Sequence, residues 1–196
     1  MARRLLSVLL AIVVAIILVG FFLPREVLVQ RSVVIDAPPE IAFEVLNELA
    51  YFNAWSPWYA RNAGAEYRLE GPAGGQGAAL AWSEREGSET GRLWITATVP
   101  TERIELEMQL GETESEHFFR IQPADGGSEV AWGMRMRFGT LDLTGRYIGL
   151  MLPSLVGGDL RRGLEQLKDL LERHPGAMPP RPDGVEASDF PGGKND

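Results

Sequence analysis

From Leu5 to Leu23 the chain runs nineteen residues without a charge, and only Ser7 and Gly20 interrupt the aliphatic and aromatic side chains. Coiled as a helix, such a run is about 28 Å long, close to the ~30 Å hydrocarbon core of a bilayer. Two segments of a chain look like this: a membrane span, or the apolar part of a secretory signal. A signal shares the basic start, here Arg3 and Arg4, but its apolar stretch is shorter and ends in small residues. This one ends in Phe21, Phe22, Leu23 and Pro24. The sequence therefore predicts an uncleaved anchor over residues 1–24, with 5–23 in the membrane. Arg3 and Arg4 precede the span while Arg25 after it is offset by Glu26. The positive-inside rule then puts the N-terminus in the cytoplasm and the remainder in the periplasm or outside the cell.

With 196 residues and 45% hydrophobic composition, the chain has material for one modest core, expected over 25–174. The compartment is oxidising, yet there is no cysteine, so packing alone must stabilise the fold. Of 19 basic residues, the 17 beyond Arg3 and Arg4 face 27 acidic ones, a net charge of −10 outside the anchor. Such a surface repels nucleic acid and anionic lipid headgroups, and no nucleic-acid partner is expected.

Residues 25–35 read as a strand, with Val27, Val29, Val33 and Ile35 spaced by twos. Pro38 and Pro39 suit the start of a helix, and Ile41, Phe43, Val45 and Leu46 carry it to about Glu48. A second helical turn follows through Tyr51 and Phe52, and Pro57 then breaks the periodicity. Residues 65–138 alternate strands with turn signals at 71–77, 86–88, 100–101, 111–112 and 125–127. Ile104, Leu106, Met108 and Leu110 oppose Glu105, Glu107 and Gln109, and Val130, Trp132, Met134 and Met136 oppose Ala131, Gly133, Arg135 and Arg137. One face of an antiparallel meander is thus buried and the other wet. A long helix is expected from about Thr144 to Arg173, with Val156, Leu160, Leu164, Leu167 and Leu171 on one face. Pro153 and the pair Gly157 and Gly158 should kink its first half. Residues 175–196, rich in Pro, Gly and polar groups, read as a disordered tail.

Four local sequences carry a family likeness: Phe52-Asn53-Ala54-Trp55-Ser56-Pro57-Trp58, Glu70-Gly71-Pro72 running into Gly77, Val130-Ala131-Trp132, and Gly163-Leu164-Glu165-Gln166-Leu167-Lys168. In this order they resemble the SRPBCC, or START-like, superfamily, in its polyketide-cyclase-like and dehydrase-like branch, over about residues 27–173. The resemblance implies an α+β helix-grip fold, a curved antiparallel sheet wrapped around the long C-terminal helix. It also implies a hydrophobic or amphipathic cavity between the two, used by different members for lipids, sterols, polyketides or aromatic compounds. It implies no single reaction, because fold is not function.

For chemistry, the chain offers no cysteine nucleophile, no G-x-S-x-G elbow and two histidines, which argues against nucleophilic catalysis and against zinc. No metal or cofactor is expected. His174 falls at a helix end, where it can meet terminal carbonyls. His117 shares a strand face with Phe119 and Ile121, so it is either a satisfied core histidine or a group that orients a ligand or exchanges a proton. Trp82, Trp132 and Met134 are core or cavity lining, and Tyr67 joins them as a candidate. Trp55 and Trp58 sit where the resemblance puts the helices closing one end of the cavity, as lid residues or as wedges between helices and sheet. Trp94, on the face of Arg92, Thr96 and Thr98, is expected on the convex side. The expected function is a membrane-anchored domain binding a hydrophobic or amphipathic molecule such as a lipid, isoprenoid or polyketide. The alternatives are a cyclase or dehydratase using His117, and a solid-core interaction domain; a protein partner is left open.

Overall fold

In the computed structural model, residues 2–61, 64–83, 90–182 and 186–187 are described; the turn expected at 86–88 lies outside them. The apolar run forms α1 (Ala2–Phe22) and β1 (Glu26–Ile35) follows almost at once. Then come α2 (Pro39–Asn47), a single 3-10 turn (Leu49–Tyr51), α3 (Phe52–Trp55) and α4 (Pro57–Arg61). The break before α4 is local: Ser56, forced away from helical backbone by Pro57, is extended with φ −78° and ψ 124°.

The meander is β2 (Glu66–Glu70), β3 (Ala79–Ser83), β4 (Thr90–Val99), β5 (Arg103–Leu110), β6 (Thr113–Ala124) and β7 (Gly127–Arg137). Each strand pairs antiparallel with the next, and β1 closes against β7, giving seven antiparallel strands in the order β1-β7-β6-β5-β4-β3-β2. The inward half of the alternation is as the sequence predicts, with Ile104, Leu106, Phe119, Ile121, Val130 and Trp132 buried on the concave face, but the outer face is not wet throughout: Phe118 and Ala131 are buried there, Phe118 against Gly133 and under the Arg120 guanidinium. The turn at 71–77 needs its glycines, since Gly71 has φ +75° and a side chain there would strike the carbonyl of Gly77.

The long helix expected over 144–173 is instead two, α5 (Leu143–Gly149) and α6 (Leu152–Glu172). Pro153 is the reason: it has no N–H to give the preceding turn, so it is accommodated in the first turn of α6. Gly157 and Gly158 do not interrupt α6; Gly157 leaves room for the Arg31 guanidinium. Leu160, Leu164, Leu167 and Leu171 are buried against the sheet. Lys168 Nζ donates to the Val34 carbonyl at 2.9 Å and Asp36 N–H to Glu172 Oε1 at 3.0 Å, which fixes the register of α6 on β1. The grip therefore has two ends. Glu26, Arg137 and Leu152 lie near α1, while Ile35 and Glu172 lie at the far end.

Where it is described, the tail touches the rest of the domain. Pro179 is buried and its carbonyl accepts from Tyr51 Oη at 3.0 Å. Arg181 pairs with Glu48, and β8 (Glu186–Ala187) adds two residues parallel to β2. Composition hides this because the segment docks through backbone carbonyls and one ion pair, with no periodic apolar face to read.

Candidate functional site

At the end nearer α1, sheet and helix do not close on each other. They leave a cavity of about 400 Å³ between β2–β3, β5–β7, α4 and α6. Its walls are Phe52, Trp58, Tyr67, Trp82, Met108, Leu110, Met134, Met136, Leu152 and Val156, with Thr113, Ser115, His117, Arg61 and Asp159 as the polar groups. The apolar lining follows from alternation, since Met108, Met134 and Met136 are concave-face residues of β5 and β7. Trp82 lies flat across β4 because its cross-strand neighbour is Gly91, where any side chain would collide with the indole.

Five of the residues singled out from sequence meet here: Trp58, Tyr67, Trp82, His117 and Met134. Trp55 and Trp132 do not. They sit behind the cavity in an aromatic cluster, Trp55 edge-on to Trp132 at 5.4 Å and to Phe119 at 5.8 Å, with Phe119 stacked on Trp132 at 5.3 Å. The void left among these rings is about 10 Å³. Trp132 is drawn there by α6: Gly163 has no side chain, and a Cβ at that position would lie 2.5 Å from the indole. Trp58 is the partition, edge-on to Trp132 at 5.0 Å on one side and to His117 at 5.6 Å on the other.

His117 points inward as alternation requires and is 3% exposed. Its Nε2 is 3.0 Å from Ser115 Oγ, and its Nδ1 is buried without a partner. Burial pushes the imidazole down from 6.5 to about 4, so it is neutral at pH 7. Its partner is thus a hydroxyl on the same strand, two residues away. Asp159 is engaged elsewhere, bonded to Arg61 at 2.6 Å across the edge of the cavity between α4 and α6. Among the described residues, no group of three or more His, Asp or Glu is placed to hold a metal ion.

Ser115 was legible as the residue two before His117 on one strand face. The Arg61–Asp159 pair was not: ninety-eight residues separate its members, and no local pattern links them. His174 Nδ1 lies 2.9 Å from the Leu170 carbonyl at the end of α6, in line with its expected capping place. Trp94 lies on the convex side, under the Arg92 guanidinium at 5.5 Å.

A family model described as polyketide cyclase / dehydrase and lipid transport matches residues 26–172. The chain belongs to that family. Solved structures agree on the fold. A protein from Rhizobium leguminosarum is 19% identical with a TM-score of 0.51, covering 76% of this chain and 96% of its own. The Aha1 dimer from Colwellia psychrerythraea is 17% identical with a TM-score of 0.52, over 74% and 96%. A protein from Rhodobacter sphaeroides is 15% identical with a TM-score of 0.52, over 76% and 94%. No curated protein matches the sequence. As a family member with this fold the chain is a ligand-binding domain, preceded by a helix long and apolar enough to cross a membrane.

Proposed function

We propose that this is a membrane-tethered domain that binds one hydrophobic or amphipathic molecule, a lipid or isoprenoid, in the cavity at the α1 end of the grip. The observation that carries it is the cavity itself, whose size falls within the ~300–1,000 Å³ usual for ligand sites. Its composition fits the energetics. Moving about twelve methylenes out of lipid forfeits roughly 10 kcal/mol unless the receiving wall is as apolar, and methionine and aromatic faces meet that condition. Trp58, Tyr67, Trp82, His117 and Met134 are the proposed contacts, with Ser115 and the Arg61–Asp159 pair available to a polar head. Binding is favoured over catalysis because His117, neutral and paired to Ser115, is a weak base far from the pH at which proton transfer is most effective.

The tether in this proposal is α1, retained, with the N-terminus in the cytoplasm and the domain on the other side. Arg3 and Arg4 ahead of the span, and bulky residues where a signal peptidase needs small ones, support it. Energy transfer from tryptophan to cis-parinaric acid, measured on the full chain in nanodiscs, tests the site. Transfer should saturate and should fall several-fold in Val156→Phe, whose ring would occupy the cavity. Non-saturating transfer that is equal in both proteins would overturn the proposal.

A further inference from the structure

What α5 packs against is the apolar helix. Gly20 is buried, and a Cβ on it would lie 3.2 Å from the Tyr147 ring and 3.4 Å from Leu143. The Tyr147 hydroxyl donates to the Ile16 carbonyl at 2.6 Å. Arg146, 1% exposed, donates through Nη1 to the carbonyls of Gly20 and Phe21, both at 3.3 Å, and through Nη2 to those of Gly139 at 3.2 Å and Thr140 at 2.7 Å. A guanidinium there serves the orphan carbonyls at the C-terminus of α1 and meets the negative end of its dipole. These contacts bind α5 alongside the last two turns of α1.

Depth then follows from helix geometry. Ile16 precedes Phe22 by six residues, about 9 Å along the axis. If α1 spans the hydrocarbon, the Tyr147 contact lies well inside the point where the chain leaves it, and α5 has to follow. The surface that α5 and the start of α6 present is suited to this. Leu141, Ile148, Leu150, Met151 and Leu155 are 49% to 81% exposed. From Tyr147 to Gly158 there is no charged residue, in a chain with 23% charged residues.

We infer that the α5–α6 corner is inserted in the acyl and headgroup boundary of the same bilayer that α1 crosses. Such insertion is driven by buried apolar area, as it must be for an acidic domain that anionic headgroups repel. Leu150, Met151 and Leu155 face outward from the turn whose other residues, Leu152 and Val156, wall the cavity. One helical turn therefore separates the cavity from lipid. The inference rests on α1 being a membrane span.

The absence of cysteine allows a direct test. Single cysteines replacing Ile148, Met151 or Leu155, with Ile12 in α1 and Gln122 at the far end as references, are labelled with a polarity-sensitive fluorophore. The full chain is reconstituted in phosphatidylcholine–phosphatidylglycerol vesicles containing nitroxide lipids. Emission at 148, 151 and 155 should shift to the blue and be quenched roughly twofold or more beyond that at 122, with Ile12 quenched most by the deepest nitroxide. Quenching at 12 without quenching at 148, 151 and 155 would overturn the inserted corner and leave the span intact. No quenching at 12 would overturn both. A blue shift at the corner without quenching would mean that protein, such as a second copy, covers it, and would also overturn the inference.

Discussion

The two halves of the interior are built by the same strands and the same helix, yet one is filled and the other is open. In the far half, a large residue of the sheet meets a residue of α6 shaped to receive it: Trp132 lies over Gly163, and Phe119 and Trp55 close around it. In the near half, Met108, Met134 and Met136 face Leu152 and Val156 across about 400 Å³. The difference does not come from hydrophobicity, which is high in both. It comes from complementarity of volume: a close-packed interior requires that facing side chains together fill the space between sheet and helix. Trp58 stands on the boundary and has one neighbour of each kind, Trp132 and His117.

The largest effect expected from this contrast is on β7. Trp132 and Met134 are two residues apart on one face, both buried. Trp132→Ala should cost about 3–5 kcal/mol, because the rings around it cannot collapse into the space, whereas Met134→Ala, which enlarges an existing cavity, should cost about 2 kcal/mol or less. Urea denaturation of both variants checks this. Equal losses would mean that the near half is packed in solution.

His117 gives the second effect, one of pH. Its folded value of about 4 lies below the unfolded 6.5, so between these the unfolded chain binds more protons. The stability it contributes is complete above about pH 6.5 and is lost as the pH falls toward 4. Between pH 6.5 and 5 the loss should be about 2 kcal/mol. His117→Leu should remove this slope, so the stability of the variant relative to the wild type should rise by about 2 kcal/mol as the pH falls from 6.5 to 5. Parallel curves would mean that the imidazole is hydrated and that the cavity beside it is filled with water.

The sheet was legible because alternation is a local code: two-residue spacing in β5 and β7 states which side chains point inward without reference to any other strand. That code placed His117 and Met134 correctly. It could not tell which inward residues border space, since Trp132 and Met134 carry the same signal and differ in what α6 puts opposite them, some twenty to thirty residues later. Trp55 and Trp58 pose the same problem on the helices, where three residues decide between core and cavity wall. The division of the expected helix into α5 and α6 was signalled by Pro153, but its consequence, a corner turned toward α1, depends on contacts of Arg146 with Gly20 and Phe21 across more than 120 residues. The contacts of the tail are illegible for a related reason: Pro179 and Arg181 meet Tyr51 and Glu48 through single polar contacts, and composition carries no trace of such pairings.

The smallest effect is the sharpest test of the contrast, because it asks for a large side chain to be tolerated. Val156 is half-buried on α6 and walls the cavity, and Gly163 lies two turns further along the same helix against Trp132. Adding volume at the two positions should have opposite results. Gly163→Val would drive its methyls into an indole held on several sides, which at the usual cost of overpacking is about 1–3 kcal/mol. In Val156→Phe the ring has open space to enter, and the area it buries offsets its loss of rotamer freedom, so stability should change by less than about 1 kcal/mol in either direction. The same variant should lose saturable cis-parinaric acid binding, which separates filling of the cavity from damage to the fold. A loss of 2 kcal/mol or more in Val156→Phe, matching Gly163→Val, would show that both halves are packed alike. The binding site would then have to be sought on the surface.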